Sequence, residues 1–144
     1  MAVSFPGFAE GLGKPAALTG SEVTDLMEMD LRIVVRDGGG VPIIDLGGEL
    51  DAYTCPRLRD VMVEVIDERS ATVIISMLKL EYIDSSGLGT LVAGLKRASE
   101  RNGRIGLICT NPQVRKVFEI TGLVQVFPLY ETEEEAVLDI LRQV

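Results

Sequence analysis

The sequence predicts one α/β domain, a mixed sheet of about five strands with four helices, preceded by a flexible N-terminal tail. Three observations lead there. Short β-branched apolar runs alternate with segments of helical spacing, the rhythm of parallel strands joined by right-handed crossovers. A glycine turn, Asp37-Gly38-Gly39-Gly40, separates two apolar runs near the start and signals an antiparallel hairpin ahead of the parallel part. At 144 residues, 47% hydrophobic and 25% charged, the chain can bury one proper core and is short for two.

Residues 1–27 hold Pro6, Gly7, Gly11, Gly13, Pro15 and Gly20 without sustained periodicity and read as a tail, with Phe5 and Phe8 as its only large side chains for docking. The domain is expected over 28–144. LRIVV (31–35) and VPIIDL (41–46) form the hairpin, with Pro42 at the start of its strand. A helix follows with Thr54 at the cap position and Pro56 in the first turn. Its buried face is Leu58, Val61, Met62, Val65 and Ile66, at i, i+3, i+4, i+7, i+8 spacing. ATVIISM (71–77) is a nearly unbroken apolar run, as a strand covered on both faces requires. Leu88, Leu91, Val92, Leu95 and Ala98 trace the next helix, and RIGLIC (104–109) the next strand. Asn111-Pro112 starts a helix carrying Val114, Val117 and Phe118, which Gly122 ends. A short strand is expected over Val124–Phe127. Thr132 and Glu135 then form a capping-box pattern, with Glu133 and Glu134 in the favourable first turn of the last helix.

Composition excludes several functions. A net charge of −8, from 14 basic and 22 acidic residues, offers no general basic face for nucleic acid. No run approaches the ~18 apolar residues of a membrane helix, and the first residues lack a secretory pattern. Cys55 and Cys109 are too few for a disulfide framework and read as free thiols in a reducing, cytoplasmic setting. The sequence has no histidine, which removes the usual base for a serine or cysteine nucleophile and the commonest transition-metal ligand. No metal, no cofactor and no enzymatic activity are therefore expected.

The informative stretch is LEYIDSSGLGTLVAGLKRA (80–98), where a strand runs straight into a helix through Asp84-Ser85-Ser86-Gly87. A nucleophile elbow would read G-x-S-x-G, but Ile83 and Asp84 precede Ser85. The glycines at 87, 89 and 94 miss the G-x-G-x-x-G pattern, whose third glycine would fall at Val92. Two readings remain. A serine can cap the helix, stabilising it by about 1 kcal/mol, while Gly87 and Gly89 let it pack closely on the sheet. Alternatively, the positive helix start can hold a phosphate on an accessible serine, making the junction a regulatory phosphorylation site. Spacing alone does not choose between them.

YIDSSGLGTL (82–91) resembles the signature of the anti-sigma-factor antagonists, bacterial regulators built on the STAS domain. GELDAYT (48–54) resembles the family's stretch between second strand and first helix, and NPQVRKVFEITGLVQVFPLY (111–130) its third helix, following glycine and last strand. The resemblance covers roughly residues 29–144. It implies that Ser85 is the phosphorylated residue, and that a partner reads the surface made by Glu49, Asp51, Thr54, Asp84, Ser85, Ser86, Gly87, Leu88 and the exposed side of the following helix. Ser76 departs from the pattern: that strand usually ends with an aspartate or asparagine among its apolar residues, a difference that bears on partner choice.

The resemblance further implies a partner switch. The unphosphorylated antagonist binds an anti-sigma factor, itself a serine kinase of the histidine-kinase-like ATPase type, and so frees a sigma factor. Phosphorylation from ATP ends that binding, and a metal-dependent serine phosphatase restores it. A STAS scaffold within a stress-signalling or transporter assembly is the alternative within the fold. A small-molecule or nucleotide sensor is the alternative outside that function class.

Overall fold

A computed structural model describes residues 30–142, so the expected tail over 1–27, with Phe5 and Phe8, lies outside the described residues. The elements are β1 (Leu31–Asp37), β2 (Pro42–Leu50), α1 (Cys55–Glu68), β3 (Val73–Ile83), α2 (Ser85–Glu100), β4 (Ile105–Ile108), α3 (Pro112–Thr121), a 3-10 turn (Leu123–Gln125), β5 (Leu129–Tyr130) and α4 (Glu133–Arg142). The five strands form one sheet in chain order, β1-β2-β3-β4-β5. β1 pairs antiparallel with β2 and every later pair is parallel. Among the described residues, the mixed sheet and four helices agree with the sequence.

The hairpin turn depends on its glycines. Gly39 and Gly40 adopt φ of 85° and 118°, where an L side chain is strained, and the Asp37 carboxylate accepts the Gly39 N–H at 3.1 Å. Along the strands, neighbouring residues divide between two cores, as a period of two dictates. Ile44, Ile75 and Leu107 join α1, α2 and α3 in the larger one. Ile43, Ile74 and Ile108 meet Tyr130, Ala136 and Ile140 in the smaller one under α4. This two-sided burial explains the unbroken apolar runs. Phe118 and Phe127 pack edge to face in the larger core, centroids 6.1 Å apart, a contact that adds about 0.5–1.5 kcal/mol beyond the area the rings bury.

Three elements differ from expectation, the first being β2, which runs on from Leu46 to Leu50. The strand expected over 71–77 runs on to Ile83. Leu78 and Lys79 are exposed there and the register against β2 jumps from Asp45–Ser76 to Gly47–Lys79, so pairing continues where apolar alternation stops. The strand expected over Val124–Phe127 is absent. Gly122, left-handed at φ 80°, ends α3 and leads into the 3-10 turn, and pairing with β4 begins only at Leu129. The apolar residues in that stretch serve other ends: Phe127 fills the core, whereas Val124 and Val126 are exposed.

Candidate functional site

The predicted site residues lie at the C-terminal ends of β2 and β3, neighbouring parallel strands, where loops of open α/β sheets collect ligands. The register pairs Glu49 with Tyr82 and Leu50 with Ile83, and the Asp84 N–H donates to the Leu50 carbonyl at 3.2 Å. The two strand-to-helix junctions therefore sit side by side.

At the β3–α2 junction the cap is Asp84. Its backbone is extended, and its carboxylate accepts the Gly87 N–H at 3.0 Å. The capping role that the sequence left open to a serine thus belongs to the residue before it. Ser85 is the first helical residue and is exposed, while Ser86 is half-buried. Among the described residues neither serine hydroxyl has a hydrogen-bond partner. The two glycines differ. A Cβ on Gly87 would lie 2.8 Å from Leu50 Cγ and 2.9 Å from its carbonyl oxygen, so close packing requires glycine there. A Cβ on Gly89 would meet nothing within 4 Å, so the packing expected of it is absent.

At the β2–α1 junction the groups are turned inward. Thr54 occupies the cap position but makes no side-chain cap bond. Its hydroxyl is buried, accepts the Asp51 N–H at 3.0 Å and donates to the Glu49 carbonyl at 2.9 Å. The Asp51 carboxylate accepts the N–H groups of Tyr53 and Thr54, each at 3.0 Å. Of the residues expected to meet a partner, Glu49 and Ser85 are exposed, and Asp51, Asp84 and Ser86 are half-buried. Thr54, Gly87 and Leu88 face the interior and shape the surface from beneath. Tyr53, not singled out from sequence, is 83% exposed on this loop. Its available signal was an aromatic residue in a loop, with no helical or strand register to bury it.

Several polar groups away from these junctions tie elements of the fold together. Arg36 on β1 bridges Asp45 on β2, at 2.5 Å, and Glu133 at the start of α4, at 2.7 Å. The bond from Arg36 holds the Glu133 carboxyl below its ordinary range. Arg97 does the same to Asp67, tying α2 to α1. Cys109 is buried, and desolvation pushes its thiol up; Cys55 is half-buried at the start of α1. Ser76 lies inside β3 between Asp45 and Ile108, 5% exposed, remote along the strand from Ser85. Among the described residues no cluster of three or more His, Cys, Asp or Glu is placed to hold a metal ion. None of their helices is long and apolar enough to cross a membrane.

Comparison with known proteins gives this geometry its context. The family model of the STAS domain matches residues 32–136. An anti-sigma F factor antagonist of Paenibacillus polymyxa is 32% identical over 113 residues, 78% of this chain and 97% of that protein. Among solved structures, an anti-sigma factor antagonist from Mycobacterium paratuberculosis superposes with a TM-score of 0.71 at 28% identity, covering 76% of this chain and 93% of that one. The Bacillus cell fate determinant SpoIIAA in its phosphorylated form superposes with a TM-score of 0.61 at 27% identity, covering 76% and 99%. With most of its length matched by the family model, five strands and four helices in place among the described residues, and a curated relative aligned almost end to end, the chain belongs to the STAS domain family, alongside the anti-sigma factor antagonists.

Proposed function

We propose that this protein is an anti-sigma factor antagonist switched by phosphorylation of Ser85. Unphosphorylated, it binds an anti-sigma factor that is also a serine kinase and so releases a sigma factor. The kinase then transfers the γ-phosphoryl group of ATP to Ser85 Oγ: the new O–P bond replaces the bond to ADP, and a base on the kinase takes the hydroxyl proton. The complex separates, and a metal-dependent serine phosphatase restores the hydroxyl. The protein is a substrate and signal carrier in the cytoplasm, without chemistry, cofactor, nucleic-acid contact or membrane contact of its own. Its working unit is the domain over 28–144.

The observation that carries this reading is the division of labour at α2. Asp84 caps the helix, so Ser85 is exposed and its hydroxyl has no structural duty among the described residues. A phosphate there adds about −1.5 to −2 charges beside the unpaired N–H groups of the first turn. At a helix start it gains about 0.3–1 kcal/mol, so the fold tolerates it. In an interface the same charge costs several kcal/mol through desolvation and repulsion, and about 1.4 kcal/mol is tenfold in affinity. The phosphate therefore acts on the complex and leaves the core alone.

The test is incubation with labelled ATP, alone and with each candidate anti-sigma kinase, followed by phosphopeptide mapping. Transfer to Ser85 only when a kinase is present is the expected result. Phosphate found mainly on Ser86 overturns the assignment, and saturable nucleotide binding without a kinase favours the sensor.

A further inference from the structure

We infer, building on the antagonist reading above, that Tyr53 is the aromatic anchor of the partner interface, seated in an apolar pocket of the anti-sigma kinase, and that Asp51 is a positioning residue that holds it there. The chain has three tyrosines, of which Tyr82, 50% exposed, sits within the paired part of β3 opposite Glu49 and not on a loop. Tyr130 is buried at 6% exposure and its hydroxyl donates to Asp139, so it serves the fold. Tyr53 is 83% exposed, so its ring contributes little to the core. Rings of this kind are enriched at the energetic centres of interfaces, because they bury much area while only two side-chain torsions are immobilised.

The loop beneath the ring is already ordered. The Tyr53 N–H donates to Asp51 Oδ1 at 3.0 Å, the Thr54 N–H to the same oxygen at 3.0 Å, and the Thr54 hydroxyl to the Glu49 carbonyl at 2.9 Å. The backbone on both sides of Tyr53 is therefore held before any partner arrives, which lowers the entropy lost on binding. Position agrees: the loop follows β2 as Ser85 follows β3, and the two strand ends are paired through Leu50 and Ile83. The same bonds assign Asp51 an internal task, since one carboxylate oxygen accepts both loop N–H groups. An acidic residue so engaged acts on the partner through the loop it shapes.

The experiment uses the full chain and the purified anti-sigma kinase that labels Ser85 from ATP. Tyr53→Ala should weaken binding of the unphosphorylated protein by at least about thirtyfold without changing its melting temperature, and Tyr53→Phe should stay within about threefold. Asp51→Ala should weaken binding about tenfold and speed amide hydrogen exchange at Tyr53 and Thr54 in the free protein. In the Tyr53→Ala background it should have little further effect on affinity. Unchanged affinity of Tyr53→Ala, with Ser85 still labelled in the wild type, overturns the anchor while the antagonist reading stands. Additive losses, or unchanged exchange in Asp51→Ala, overturn the positioning role. A wild-type protein that no such kinase labels overturns the functional reading and this inference with it.

Discussion

At the ends of β2 and β3 the chain places an aspartate close to a hydroxyl residue, and the two junctions dispose of these groups in opposite ways. After β2, Asp51 and Thr54 spend their polar atoms on each other's backbone and on Glu49, and the threonine is 2% exposed. After β3, Asp84 satisfies one helix N–H and Ser85 is left exposed. The first junction makes a shaped loop and the second an accessible hydroxyl. The difference lies in spacing: two residues separate Asp51 from Thr54 and let the chain turn back on itself, whereas Ser85 adjoins its aspartate and enters the helix directly.

The largest effect should come from the accessible hydroxyl. Ser85→Asp should reduce binding to the cognate kinase by a hundredfold or more, about 3 kcal/mol, with a melting temperature close to wild type; titration and thermal unfolding together check this. Unchanged binding would make Ser85 as inert as its neighbour's buried hydroxyl. Thr54→Val should do the reverse, lowering stability by about 1–3 kcal/mol, because it strands the Asp51 N–H and the Glu49 carbonyl, with phosphate still mapping to Ser85. Asp84→Ala should cost about 1 kcal/mol in denaturant unfolding. A loss near zero would mean that a serine takes over the cap and that the two duties are not divided as described.

Gly89→Ala sharpens the contrast with Gly87. With open space around its Cβ and a helix-interior position, it should gain about 0.5–1 kcal/mol of stability, whereas Gly87→Ala should lose about 1–3 kcal/mol by overpacking against Leu50. The smallest effect lies outside both junctions. Glu133→Gln should cost a few tenths of a kcal/mol at neutral pH, since the pair with Arg36 is more than a third exposed. The Glu133 carboxyl is held below its ordinary 4.5, so its contribution is present above that pH and fades as pH falls through the lowered folded value. Wild type and variant should therefore converge in acid.

Much of this was legible in the residues. The hairpin glycines, the buried face of α1 and the Asn111–Gly122 bounds of α3 follow from local chemistry, and the structure reproduces them. Local patterns failed where tertiary pairing decides. The second half of β3 keeps its partner across a bulge that breaks the apolar alternation, and β5 starts after Pro128 because its pairing with β4 begins at Leu129. At the site, the sequence pointed to the Asp84-Ser85 junction but left open whether a serine caps α2 or stays free for phosphorylation, and the structure gives the cap to Asp84, one residue earlier. Tyr53 carries no mark of its own in the sequence, because burial, the usual use of an aromatic residue, is a property of the folded chain.

The cap on α2 also bears on how long the signal lasts in a cell. Because Asp84, and not Ser85, holds the helix start, phosphorylation of Ser85 should change the unfolding free energy only by the ~0.3–1 kcal/mol of its interaction with that helix start. Proteases that act on transiently opened chains would then remove the phosphorylated form at most about fivefold more slowly than the bare one. The ratio of the two would then be set mainly by kinase and phosphatase, with turnover a weakly selective drain on the pool.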